Sequence, residues 1–133
     1  MKAPSESGAT LLVIEPDVLI RMLIANFLRE CGFKVIEGTE AADVWSAIAN
    51  GLKIDVVFSE VVLPGKTDGF SLANLVRQKH PEIDVILTSS PEKAGEKSRQ
   101  LCEDGPIGKP YHSADISARI RQLLARRRPP GRS

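Results

Sequence analysis

Short apolar runs, separated by longer amphipathic stretches, constrain the fold of this chain more than any other feature of its sequence. The runs lie at residues 10–14, 35–36, 56–58 and 85–87, with a shorter fifth one at Ile107. Runs that are apolar throughout are typical of parallel strands buried on both faces. Because strand and helix units alternate, right-handed crossovers should place helices on both faces of the sheet. We therefore predict an α/β fold with a doubly wound, five-stranded parallel sheet.

Capping residues and helical periodicity mark the stretches between the runs. Asp17 is placed to cap a first helix that ends at Cys31 and Gly32, and Thr39 is placed to cap a second. A third helix ends at His80, before a proline. The fourth stretch, residues 92–103, is polar and specifies its helix only weakly, whereas residues 116–124 carry the apolar stripe of a last helix.

Composition sets the number of domains and the cellular setting. The chain has 133 residues, 42% of them apolar, which fits one domain over residues 10–126 between a flexible N-terminus (1–9) and a basic, flexible tail (127–133). Cys31 and Cys102 show no metal-binding spacing, so we expect free thiols in a reducing compartment. No apolar run reaches the length of a membrane span or a signal peptide. These features predict a cytoplasmic protein without membrane contact.

The net charge of +1 conceals an uneven distribution. Residues 119–133 hold six arginines and no acid, which leaves twelve basic and seventeen acidic groups in residues 1–118. Clustered arginines can bind nucleic acid through its phosphates. No aromatic residues interleave them, however, so a solvated tail is the preferred interpretation and nucleic-acid binding is the alternative.

Polar side chains follow the predicted strands where the carboxyl ends of a parallel sheet meet. Glu15 and Asp17 follow the first strand, Glu60 the third, Thr88 the fourth and Lys109 the fifth. In doubly wound sheets this edge is where ligands bind. Carboxylates can hold a hard cation, and a lysine with a hydroxyl can steady a phosphoryl group. The pattern predicts a site for a metal ion or an anion.

Residues 10–126 resemble the receiver domain of two-component response regulators. The resemblance rests on four segments, LLVIEPDVLIRMLIANFLRECGFKVIE, DVVFSEVVLPGKTDGFSLA, VILTSS and GKPYHSADISARIRQLL. It implies a flavodoxin-like fold and phosphate transfer from a histidine kinase to an aspartate. Glu60 stands at that acceptor position, while Thr88 and Lys109 stand at the positions that contact the phosphoryl group.

Three positions depart from the pattern of the family. Pro16 stands where an acid ordinarily coordinates Mg²⁺, and Pro106 replaces an aromatic switch residue, although Tyr111 follows nearby. Glu60 is one methylene longer than aspartate, which moves its carboxylate by about 1.5 Å. The metal ligands that the resemblance leaves are Glu15, Asp17, Glu60 and the backbone of Val62.

These departures predict a stand-alone, atypical receiver domain rather than an enzyme. It would act through protein contacts without conventional aspartyl phosphorylation and would require no cofactor, with Mg²⁺ binding possible but weakened by Pro16. The resemblance implies a histidine kinase or a downstream effector as partner, contact through the face of helix four, strand five and helix five, and a possible homodimer. The alternative is a phosphorylatable receiver that uses Mg²⁺ and Glu60 as a non-standard acceptor. A flavin or nucleotide site is disfavoured because no glycine-rich loop follows the first strand.

Overall fold

The structure, a computed structural model, describes residues 9–104, in which strands and helices alternate. The elements in chain order are β1 (Thr10–Ile14), α1 (Val18–Glu30), β2 (Lys34–Gly38), α2 (Ala42–Ala49), β3 (Val56–Glu60), α3 (Gly69–Lys79), β4 (Asp84–Thr88) and α4 (Pro91–Asp104). The polar stretch 92–103 does form a helix. The predicted fifth strand at Ile107, the last helix, residues 1–8 and the basic tail lie outside the described residues.

The four strands form one parallel sheet in the order β2-β1-β3-β4. Leu12 pairs with Val57 in the register of β1 and β3, and Glu60 pairs with Thr88 in that of β3 and β4. Four of the five residues of β1, all except Thr10, are buried. The parallel α/β architecture predicted from the apolar runs is therefore confirmed.

Alternate residues of the central strands build a separate core on each face of the sheet. On one face α1 packs against β1 and β3, and this core includes Leu11, Val13, Ile24, Leu28 and Phe58. On the opposite face α2 and α3 pack against the same strands, with a core that includes Leu12, Ile14, Val44, Val57 and Leu72. The period of two along each strand directs these two sets to opposite faces.

Helix α4 lies on the α1 face of the sheet. Its Ala94 and Cys102 belong to the same core as Ile24 and Leu28 of α1. A right-handed crossover from β4 to a strand beyond it would lie on the opposite face, beside α2 and α3. The polar sequence of α4 gives no broad apolar stripe from which its face could be predicted.

Helix capping follows the prediction at α1 but not at α2. The Asp17 side chain accepts hydrogen bonds from the amides of Leu19 and Ile20. The prediction that Thr39 caps α2 was wrong, because the helix begins after Ala41 with no side-chain cap. The carboxylate of Asp43, inside the first turn, instead accepts from the amide of Thr39 at 2.7 Å. An acid inside the helix thus fixes the chain that enters it.

The two cysteines form a disulfide, so the prediction of free thiols was wrong. Cys31 is the C-cap of α1 and Cys102 lies near the end of α4. Their Cα atoms are 5.5 Å apart across 71 residues of sequence. The spacing of the two cysteines in the sequence does not predict this pair, because the contact depends on which face of the sheet α4 occupies. The cysteines therefore no longer support the expectation of a reducing compartment.

In the described part of the chain, no helix is long and apolar enough to cross a membrane.

Candidate functional site

A cavity of about 410 Å³ opens at the carboxyl edge of the sheet. The turn between β1 and α1 forms one side, the end of β3 forms another, and the first residue of α4 closes a third. Its lining comprises Glu15, Pro16, Asp17, Ile20, Glu60, Val62 and Pro91. The structure thus brings together the residues predicted as an acidic group, Glu15, Asp17 and Glu60, with Pro16 and Val62 beside them.

The acids of the β1–α1 turn are already engaged by nearby backbone groups. Oδ1 of Asp17 accepts from the amides of Leu19 at 3.0 Å and Ile20 at 3.1 Å. Oε2 of Glu15 accepts from the amide of Asp17 at 2.9 Å. A guanidinium nitrogen of Arg21 donates to the Glu15 carbonyl at 2.9 Å. These bonds fix the turn and occupy carboxylate oxygens that a cation would otherwise use.

Arg21 also ties this turn to the neighbouring strand. Its Nε lies 3.1 Å from a carboxylate oxygen of Glu37 in β2, and Arg29 lies 3.1 Å from the other oxygen of the same carboxylate. Arg21 is largely buried, whereas Arg29 is exposed. By pairing with both arginines, Glu37 fixes β2 against α1. The same carboxylate holds the guanidinium of Arg21 at the back of the turn.

Glu60 is the last residue of β3 and is half-buried at the mouth of the cavity. Burial raises the pKa of its carboxyl group, and a hydrogen bond with the Val62 backbone opposes that change. The ionised form is therefore held less favourably here than in water. The Glu60 carboxylate is thus a poorly solvated negative charge in a cavity that Glu15 and Asp17 also line.

The loop after Glu60 doubles back closely on the start of α3. The Gly69 amide donates to the Val61 carbonyl at 2.7 Å, and the Val61 amide donates to the Thr88 carbonyl at 2.9 Å. A Cβ atom on Gly69 would lie 2.6 Å from the Glu60 carbonyl oxygen. Only glycine allows this approach. In the same loop, Val62 is 73% exposed.

The two residues predicted to contact a phosphoryl group are placed differently. Thr88 pairs with Glu60 in the sheet, but it is only 4% exposed and does not line the cavity. Lys109 lies outside the described residues, as do Pro106 and Tyr111. The structure therefore brings the three predicted acids into one cavity. It also puts Thr88 beside Glu60 in the sheet.

The donor set of the cavity fits Mg²⁺ poorly. Mg²⁺ requires near-octahedral oxygen ligands at about 2.1 Å. Pro16 supplies no side-chain oxygen, and the carboxylates of Glu15 and Asp17 accept backbone amides. Within residues 9–104 no group of three or more His, Cys, Asp or Glu side chains is arranged to hold a metal ion. The three acids share a cavity without converging on a common point.

Most of the chain matches a known protein family. The family model of the response regulator receiver domain matches residues 11–121. The chain belongs to the response regulator receiver domain family. Receiver domains are signalling modules of two-component systems, and residues 11–121 of this chain form one of them.

Curated relatives contain a region similar to this receiver domain within longer chains. An uncharacterized transcriptional regulatory protein, YbdJ of Bacillus subtilis, is 33% identical over 119 residues, which are 88% of this chain and 51% of that protein. The sensor kinase CckA of Brucella abortus is 31% identical over 130 residues, 13% of its length. The receiver domain thus spans about half the length of YbdJ and less of CckA.

Solved structures share the fold of this receiver domain at low sequence identity. A response regulator receiver domain protein from Clostridium thermocellum aligns with a TM-score of 0.57 at 22% identity and covers 89% of this chain and 95% of its own. The signal receiver domain of an HD domain-containing protein from Pseudomonas fluorescens gives 0.59 at 20%, with 90% and 96% covered. These likenesses establish the fold alone.

Two residues of the receiver domain's cavity escaped the sequence analysis. Pro91 follows the hydroxyl-rich end of β4, and its position after Thr88 was the available signal. Ile20 forms part of the cavity wall although its place in the α1 stripe indicates only core packing. Gly69, which shapes the loop, had no signal, because its constraint comes from a tertiary contact.

Proposed function

We propose that this receiver domain acts in two-component signalling through protein contacts, without conventional aspartyl phosphorylation. The observation that carries the proposal is the cavity itself. Glu60, in place of the usual aspartate, and Pro16, in place of a metal-binding acid, line the same cavity. Two departures from the family pattern thus fall on one site, which is where phosphoryl transfer takes place in receiver domains.

The chemistry of phosphoryl transfer explains why both changes matter. In-line transfer requires an acceptor at a fixed position and a cation that neutralises the developing charge. The longer Glu60 side chain moves the acceptor oxygen by about one carbon–carbon bond length. Without a donor at Pro16, and with Asp17 capping α1, the cation would lose ligands on the β1 side. Both requirements of the transfer are weakened together.

The exposed surface beside the cavity supports a role in protein contact. Val18, Leu19 and Met22 in the first turns of α1 are exposed, and so is Val62 across the cavity. An apolar patch next to a polar cleft is typical of a protein interaction surface. A histidine kinase or a downstream effector is the proposed class of partner, and a cytoplasmic location is the proposed setting.

A second candidate function is phosphorylation on Glu60 with Mg²⁺. The observation in its favour is that Glu15, Asp17 and Glu60 line one cavity, so a rearrangement of the β1–α1 turn would bring a second carboxylate towards the acceptor. That rearrangement would give up the two hydrogen bonds by which Asp17 caps α1. The cost of the lost cap, about 1 kcal/mol, disfavours this state.

Intact-mass spectrometry separates the two candidates. The protein is incubated with acetyl phosphate and Mg²⁺, and its mass is compared with that of Glu60→Gln treated identically. We expect no stoichiometric phosphoryl adduct on either protein. A stoichiometric adduct on the unsubstituted protein that is absent from Glu60→Gln would overturn the proposal and establish Glu60 as an acceptor.

A further inference from the structure

We propose that Cys31 and Cys102 are a reversible thiol–disulfide couple that controls whether helix α4 is held against α1. The bond joins the C-cap of α1 to the last turn of α4, and it closes a long segment of the chain. Its formation or reduction would act on one element that also reaches the candidate site.

Within residues 9–104, α4 packs against the rest of the protein through few large apolar side chains. Among residues 91–103, for which burial is described, the buried positions carry only small side chains and one cysteine, namely Ala94, Gly95, Ser98 and Cys102. Ser98 donates to the Gly95 carbonyl of its own helix, so this hydrogen bond does not tie α4 to the rest of the protein. Since hydrophobic stabilisation scales with buried apolar area, these residues contribute little.

The contrast with α1 shows what α4 lacks. Helix α1 buries Ile20, Ile24, Phe27 and Leu28, all large apolar side chains. On α4 the larger apolar side chain is Leu101, which is only partly buried. Gly95 also weakens the helix from within, because glycine has a low helix propensity. The disulfide is therefore the strongest link between α4 and α1.

The same helix carries the effect of the bond to the cavity. Pro91 begins α4 and lines the cavity, whereas Cys102 lies near the other end of the helix. A rigid helix transmits a restraint along its length, about 16 Å between these two residues at 1.5 Å per residue. Holding the end of α4 at α1 thus fixes one wall of the cavity, and releasing it frees that wall.

Thiol–disulfide exchange accounts for every atom of the switch. The thiolate of one cysteine attacks a low-molecular-weight disulfide, forms a mixed disulfide and releases one small thiol. The second cysteine, as thiolate, attacks the mixed disulfide, forms the Cys31–Cys102 bond and releases a second small thiol. The protein is oxidised by two electrons and the small disulfide is reduced to two thiols. A dithiol reductant reverses both steps.

Burial of both sulfur atoms makes the exchange depend on movement of α4. Cys31 is 1% exposed and Cys102 is 3% exposed, so a small disulfide or thiol reaches them only when the helix opens. Disulfides of proteins in reducing compartments are usually transient and redox-sensing rather than structural. This last point rests on the proposed cytoplasmic setting, whereas the couple itself is independent of whether Glu60 accepts phosphate.

Hydrogen exchange on the full chain in two redox states tests the proposal. One sample is treated with oxidised glutathione and the other with a phosphine reductant, and free thiols are counted by alkylation and mass. We expect no free thiol after oxidation and two after reduction. On reduction the amides of α4 should exchange at least ten-fold faster, while those of β1 and β3 stay protected over the same labelling times.

Variants distinguish the bond from a general effect of the reductant. Cys102→Ser should show fast exchange in α4 under both treatments, and Gln100→Ala, an exposed change on the same helix, should keep the redox response. Two free thiols after treatment with oxidised glutathione would overturn the proposal. Equal protection of α4 in the oxidised and reduced unsubstituted protein would overturn it as well, and that result requires no variant to fold.

Discussion

At the scale of single residues, Glu60 is a cavity acid whose charged form the fold disfavours. It is half-buried, so its ionised form loses solvation and its pKa is raised. A carboxyl group whose pKa is higher in the folded protein than in the unfolded chain binds its proton more tightly when folded. Stability is then lost as the pH rises from the ordinary pKa through the raised one, and the deficit persists at neutral pH.

Glu60→Gln should therefore stabilise the protein at neutral pH. The amide keeps an oxygen that can accept from the Val62 backbone, but it carries no charge. We expect a gain on the order of 0.5 kcal/mol after allowance for solvent screening. Thermal unfolding of both proteins between pH 4 and 8 measures it, and the gain should shrink as the pH falls towards the ordinary pKa of a glutamate side chain. A gain that grows on acidification would contradict this assignment.

Gly69 tests the close approach that shapes the loop after Glu60. A methyl group there would collide with backbone atoms of Glu60, the last residue of β3, and of Val61, whose amide donates to the Thr88 carbonyl. Gly69→Ala should lower the free energy of unfolding by about 1–3 kcal/mol. Urea denaturation measures the loss, with Ser71→Ala, an exposed position on the same helix, as the matched control. Equal stability of the two variants would show that the loop yields without cost.

At the scale of elements, what could be predicted depended on whether the signal was local. Helix α1 has its cap, its apolar stripe and its terminating glycine within one stretch of sequence, and its bounds follow the prediction. Helix α2 has a local signal at Thr39 that a carboxylate inside the helix overrides. Helix α4 was predictable as a helix but not in its placement, because no broad apolar stripe selects a face.

The double use of Asp17 gives a prediction at the level of a helix. Its carboxylate caps α1 and also lines the cavity. Asp17→Ala should destabilise the protein by about 1 kcal/mol, because two amides at the start of α1 lose their acceptor. Asp17→Asn, which keeps a capping oxygen and removes the charge, should remain close to the unsubstituted protein. Urea denaturation measures the stability of both variants. An equal loss of stability in the two would assign the effect to the charge of Asp17 and not to capping.

At the scale of the whole molecule, the parallel sheet and its acidic edge followed from the sequence, whereas the covalent link did not. The carboxyl ends of parallel strands meet at one edge, so Glu15, Asp17 and Glu60 could be placed together from topology alone. Cys31 and Cys102 meet only because α4 lies on the α1 face. A contact across 71 residues that depends on the placement of a polar helix carries no signal in residue spacing.

For the whole receiver domain, we propose that the fold is kept while conventional aspartyl phosphorylation is not. If Glu60 and Pro16 are the cause, restoring both acids should restore the chemistry. The variant Pro16→Asp/Glu60→Asp and the unsubstituted protein are both incubated with acetyl phosphate and Mg²⁺, and their intact masses are recorded. We predict one phosphoryl group on the double variant and none on the unsubstituted protein. A phosphoryl group on the unsubstituted protein, or none on a folded double variant, would contradict the account.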